Sequence, residues 1–209
     1  MALRKIERAL ISVSDKTDLL PLAQTLHEHG TELISTGGTA KVLKEAGLPV
    51  VDIAEYTQFP EMMGGRLKTL HPLIFGGILM RRGEDEELAK KHGIKPIDMV
   101  VVNLYPFRET VAKESVTEAE AIEQIDIGGP SLLRAAAKNM NYVTVLTAIR
   151  DYAMVIEELK EKNGVTGATR RKLAITAFDK TASYDQAIAE HLRYKGESVE
   201  LLDLHYEKV

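Results

Sequence analysis

The fold is decided by one stretch: Ala9-Leu10-Ile11-Ser12-Val13, a segment carrying Leu19, Leu22, Ala23 and Leu26 up to Gly30, then Glu32-Leu33-Ile34-Ser35-Thr36-Gly37-Gly38-Thr39-Ala40. The first run is short and apolar, and predicts a buried strand. The leucines and alanine that follow recur at i, i+3, i+4 and i+7, which predicts a helix stopped by Gly30. That is one βα unit. A second consists of Glu32 to Ser35, a Gly-Gly turn, and a helix through Val42, Leu43 and Ala46 with Gly47 at its C-terminal end. Val50-Val51-Asp52-Ile53 supplies a third strand. Two more, Met99 to Leu104 and Tyr142 to Leu146, are too continuously apolar for a sheet with one wet face. The expectation is therefore an α/β three-layer sandwich: an open, mostly parallel sheet with helices on both faces.

Around this frame, Thr57 to Gly83 breaks the rhythm with Pro60, Gly64-Gly65, Pro72 and Gly76-Gly77, and reads as a long irregular loop. Beyond the last strand, Tyr152, Val155, Ile156 and Leu159 predict a helix, Asn163-Gly164 a break, and a final helix runs from about Ala168 to Leu192. The expected organisation is a single domain over 1–209, with an α/β core to about residue 165 and a helical extension from about 166.

Of the 209 residues, 31 are acidic and 27 basic, for a formal charge of −4. No overall cationic field exists to hold a nucleic acid, so any anionic ligand must be caught locally. With no cysteine, disulfides, thiol nucleophiles and cysteine-based metal sites are excluded. No apolar run reaches membrane-spanning length and the first residues lack a signal-peptide pattern, so the expectation is a cytoplasmic protein without a membrane partner. The six histidines make no metal site: His27 and His29 diverge on their helix, and His92, His191 and His205 are isolated.

Five features carry chemistry. Ser35-Thr36-Gly37-Gly38-Thr39, between strand end and helix start, reads as a phosphate cradle of glycines, hydroxyls and free amides, though it is neither a Walker loop nor a dinucleotide fingerprint. Ser12, Ser14 and Lys16 end the neighbouring strand, where the lysine would complete the anion site. Gly65-Arg66-Leu67-Lys68-Thr69-Leu70-His71-Pro72 gathers two cations and an imidazole; a partly desolvated Lys68 would suit proton transfer. Asn103-Leu104-Tyr105-Pro106-Phe107 lies at the carboxyl end of a strand, and Asp126-Ile127-Gly128-Gly129-Pro130 opens a helix that ends near Lys138, giving a carboxylate beside bare amides.

In this order the five motifs resemble the inosine monophosphate (IMP) cyclohydrolase domain of the bifunctional purine-biosynthesis enzymes, over nearly the whole chain. The resemblance implies a methylglyoxal-synthase-like fold and closure of the purine ring of 5-formamidoimidazole-4-carboxamide ribonucleotide (FAICAR) to IMP and water, without a cofactor or metal. It implies Lys68, Tyr105, Asp126 and Lys138 as catalytic residues. Substrate would be bound by Ser12, Ser14, Lys16, Ser35 to Thr39, Arg66, Thr69, Leu70, Asn103, Leu104, Ile127, Gly128 and Gly129. It also implies a homodimer and a transformylase domain carried elsewhere. Lys138 lies twelve residues after Asp126, mostly along a helix at about 1.5 Å per residue, so it would act on the substrate's far side or from a partner subunit. Two alternatives share the cradle. One is a methylglyoxal-synthase-like lyase, whose catalytic aspartate follows a Gly-Gly pair where this chain has Arg66. The other is a non-catalytic nucleotide-sensing module, which would leave Lys68, Tyr105 and Asp126 without a shared task.

Overall fold

In a computed structural model, residues 2–105, 107–112 and 116–195 are described. Five parallel strands form one sheet in the order β3-β2-β1-β4-β5: β1 (Arg8–Val13), β2 (Glu32–Ser35), β3 (Val50–Asp52), β4 (Met99–Asn103) and β5 (Thr144–Leu146). Central β1 pairs with β2 from Arg8↔Glu32 to Ile11↔Ser35, and with β4 from Ala9↔Met99 to Val13↔Asn103. β1, β2 and β3 step one way across the sheet and β4 and β5 the other. The order therefore reverses between β1 and β4, and the carboxyl ends of these strands flank the crevice where open α/β sheets take ligands. Both faces are apolar: Leu10, Ile11, Ile34, Val100, Val101 and Val145 have no exposed surface.

The intervening helices are α1 (Leu19–Glu28), α2 (Gly37–Glu45), α3 (Ile53–Thr57), α4 (Pro72–Leu79), α5 (Glu86–Lys91), α6 (Phe107–Val111), α7 (Glu118–Glu123), α8 (Gly128–Lys138), α9 (Tyr152–Lys162) and α10 (Gly167–Lys195). Three expectations are corrected. Ile53 opens α3 rather than ending β3, because Asp52 caps the helix by accepting from the Ala54 amide at 2.9 Å. Tyr142 stands outside β5, its ring lying 4.8 Å from the Arg4 guanidinium and 5.9 Å from that of Arg82. The stretch Thr57 to Gly83 is not wholly irregular: it contains α4, with Pro72 in the first turn and the His71 Nδ1 accepting from the Leu73 amide at 3.2 Å. Gly76 and Gly77 punctuate the sequence without breaking this helix. They let it pack, since a Cβ on Gly77 would stand 2.4 Å from the Lys95 carbonyl oxygen and one on Gly76 2.8 Å from Ile94 Cδ1.

Compactness divides the chain into two units, Met1–Tyr105 with Asp126–Thr181, and Pro106–Ile125 with Ala182–Val209. This division falls inside α10. The first unit holds the sheet. Its closing element is Arg170, fully buried, whose guanidinium donates to the carbonyls of Met140 at 2.9 Å, Val165 at 2.6 Å, Ala2 at 2.8 Å and Asn141 at 3.3 Å. Beside it, Arg4 and Val165 exchange backbone bonds of 3.0 and 2.8 Å. In the second unit, the Phe107 ring meets Tyr184 and His191 edge-on at 6.1 and 5.7 Å, and the Tyr184 hydroxyl donates to the Gln124 carbonyl at 3.3 Å.

Candidate active site

The cradle is built from the carboxyl ends of β1 and β2. Thr36 occupies the N-cap position of α2 in extended conformation, but its hydroxyl shares a 2.8 Å hydrogen bond with Ser12 Oγ instead of capping the helix. The Gly37 and Gly38 amides thus open the helix outside its i→i−4 ladder, at the positive end of its dipole. Not every hydroxyl expected to donate faces a ligand. Ser35 Oγ donates to the Ile11 carbonyl at 2.7 Å. Thr39 Oγ1 donates to the Val13 carbonyl at 2.9 Å and accepts from the Val13 amide at 3.1 Å. Both side chains are buried, Ser35 fastening the end of β2 and Thr39 the first turn of α2 onto β1.

Asn103, at the end of β4, shapes the loop after β1. Its Oδ1 accepts from the Ser14 amide at 2.6 Å, the Ser14 hydroxyl at 2.8 Å and the Asp15 amide at 3.1 Å, while its Nδ2 donates to the Asp15 carbonyl at 2.8 Å. These bonds make Asn103 hold the loop after β1 in place. Lys16, expected to complete the anion site, folds back over its own loop to donate to the Ser14 carbonyl at 3.1 Å. Beneath this loop lies Tyr152, a residue sequence reasoning left on a helix face. Burial pushes its hydroxyl up to about 12, the Asp15 charge adding to the rise and Asn103 opposing it.

The cation that does reach the cradle is Lys68. A Cβ built on Gly37 would lie 3.0 Å from Lys68 Nζ, so the ammonium sits over the first residue of α2, where φ is +42° and only glycine is at ease. The same ammonium is ion-paired with Glu61 at 2.6 Å. Glu61 was not singled out from the sequence, although a lone carboxylate just before a Gly-Gly-Arg-x-Lys run is a signal for such a pairing. One residue on, Thr69 is buried, and its Oγ1 lies 2.7 Å from where Gly128 would carry a Cβ. Adjacent Cα atoms are about 3.8 Å apart. Lys68 and Thr69 therefore join the N-terminal ends of α2 and α8.

At α8 the Asp126 carboxylate accepts from the Gly129 amide at 2.8 Å, and its Oδ2 stands 2.3 Å from the Cβ position of Gly129. Burial raises the Asp126 pKa above its ordinary value, against the lowering effect of hydrogen bonds from the Gly129 and Gly128 amides. These amides, expected to await a substrate oxyanion, are thus engaged by Asp126 itself. Leu104 packs on the same turn, 2.8 Å from the Gly129 Cβ position. Tyr105 and Ile127 are exposed at the edges, as is Arg66, and Leu70 is half-buried. Lys138 is exposed in the last turn of α8, at the opposite end of the helix from Asp126. No group of three or more His, Asp or Glu side chains that could hold a metal occurs among the described residues.

Comparison with known proteins finds the family model of MGS-like domains over residues 18–131 and that of the AICARFT/IMPCHase bienzyme over residues 136–209. The bifunctional purine biosynthesis protein PurH of Bacillus subtilis (strain 168) is 57% identical over 189 residues, which is 90% of this chain and 37% of that protein. The chain thus spans little more than a third of the length of that relative. Among solved structures, the crystal structure of ForH matches with a TM-score of 0.82 and 36% identity, over 90% of this chain and 98% of that one.

Proposed function

The chain belongs to the MGS-like domain family, and from that premise we propose that it closes the purine ring of FAICAR to give IMP and water in purine biosynthesis. The observation that carries this reading is the Lys68-Thr69 step, which ties the amide-bearing N-terminal end of α2 to a second helix end bearing a half-buried carboxylate. A nucleoside monophosphate has this bipartite form: a phosphate for the Gly37 and Gly38 amides, Ser12, Thr36 and Lys68, and a base directed to Thr69, Asp126 and α8.

In the reaction the carboxamide nitrogen attacks the formyl carbon, a C–N bond forms, and the formyl oxygen gains negative charge. Asp126, its pKa raised by burial, takes the proton released by the carboxamide nitrogen. As the carboxylate is protonated, its hold on the Gly128 and Gly129 amides weakens, and these become donors for the developing oxyanion. The oxyanion takes one proton to become a hydroxyl and a second to leave as water, balancing the protons lost from the carboxamide nitrogen and from the ring N–H as the C=N bond forms; we assign delivery of the second to the exposed Tyr105. Lys138 belongs to this scheme as the contribution of a second subunit in a homodimer, since its own helix carries it away from Asp126. The setting is cytoplasmic, and among the described residues no helix is long and apolar enough to cross a membrane. The MGS-like lyase alternative is not favoured, because Arg66 follows Gly64-Gly65 where that chemistry has its aspartate.

The test is incubation of the purified protein with FAICAR, free of folate and with chelator present, following ultraviolet absorbance. Ring closure is the expected result. Unchanged absorbance with folded protein overturns the reading.

A further inference from the structure

We propose that Glu61 is an internal stand-in for the ligand's anion: it holds Lys68 at the N-terminal end of α2 while the cradle is empty, and yields it when an anionic group docks. The proposal rests on the reading that this helix end receives the phosphate of a nucleotide. Three observations support it. The Lys68 Nζ to Glu61 Oε2 separation is 2.6 Å, and the ammonium lies against Gly37, so the charge a docking phosphate needs is already in place and already neutralised. Both partners remain partly exposed, with 24% and 46% of their side-chain surfaces open, and such a pair exchanges readily for another. Third, the segment between them is closed on itself: the Met62 amide donates to the Leu67 carbonyl at 3.1 Å and the Leu67 amide to the Met62 carbonyl at 3.3 Å.

This third point makes exchange local. Glu61 and Lys68 leave opposite legs of a small closed loop, so the carboxylate can swing to water by side-chain rotation while the backbone of Lys68 stays fixed. The loop is shaped for this pairing. Gly65 has a φ of +91°, and a Cβ there would stand 2.9 Å from Glu61 Oε1. A docked phosphate and the Glu61 carboxylate would both press on one ammonium, and two like charges at such range repel. The stronger anion then displaces the weaker.

The experiment is calorimetric titration with inorganic phosphate, and in parallel with IMP, of the parent, Glu61→Gln, Lys68→Met and the double variant at low ionic strength. Glu61→Ala serves as a second removal of the carboxylate. Phosphate should bind Glu61→Gln about two- to fivefold tighter than the parent, the range that exposed ion pairs span. The gain should vanish in the Lys68→Met background, which a general change in surface charge would not predict. Phosphate binding that is unchanged or weaker without Glu61, a gain that persists without Lys68, or no phosphate binding by parent and variants alike overturns the proposal. Inactivity of the parent toward FAICAR would sink the functional reading alone, because the phosphate titration is read independently of turnover.

Discussion

At Asp126, chemistry and stability pull in opposite directions. Burial raises its pKa, so the folded state favours the protonated form more than the unfolded chain does. The stability linked to this residue is fully present below the ordinary value of 3.8 and is lost as pH rises through the raised folded value. At neutral pH the carboxylate therefore burdens the fold. Asp126→Asn, which keeps an oxygen to accept from the Gly129 amide, should unfold at a temperature equal to or above that of the parent at neutral pH. The advantage should shrink as the solution is acidified toward the ordinary carboxylate range, as thermal melts across pH would record. The same variant should lose roughly two orders of magnitude or more in turnover, the contribution typical of a general base. Turnover within a few-fold of the parent would leave Asp126 a capping residue only. At this scale the sequence revealed residue types but not their partners. Ser35 and Thr39 offered hydroxyls, and nothing along the chain told that both face the backbone of β1. Lys16 was the cation expected at the cradle and Lys68 a carrier of protons, and only the packing of the loop before α4 set Lys68 against Gly37.

Among the elements, the parallel strands were legible because burial on both faces demands unbroken apolar runs, a pattern no loop reproduces. Helix α4 was not, because Pro72, Gly76 and Gly77 are turn formers when the neighbour they pack against is unknown. Gly77→Ala tests that packing. Its Cβ would meet the Lys95 carbonyl at 2.4 Å, a backbone atom that cannot step aside, and the loss should be about 1–3 kcal/mol in chemical denaturation. At Gly37 the obstacle is instead the flexible end of Lys68, 3.0 Å away, together with a positive φ. Gly37→Ala should therefore cost only about 1 kcal/mol in folding, while weakening phosphate binding by displacing the ammonium from α2.

The whole molecule depends on interactions that no local pattern announces. Arg170 is one: replacing it with Met would leave four carbonyl oxygens without their donor, that of Val165 in a buried bond, at a cost of about 2–3 kcal/mol and a fall in Tm of roughly 4–12 °C. The proposed homodimer would add another. If Lys138 serves the partner's site, mixing inactive Asp126→Asn and Lys138→Met proteins should restore about a quarter of parental activity through mixed dimers with one intact site. Absence of any recovery after subunit exchange would confine both residues to one chain. The Arg170 clasp also bears on how the protein is made. Its bond to Ala2 spans 168 positions, so at about 5–20 residues per second the ribosome needs roughly 10–30 s to deliver the donor after the acceptor has been synthesised. Throughout that interval the Ala2 carbonyl waits for this donor, and the first unit is sealed by one of the last parts of its core to be translated.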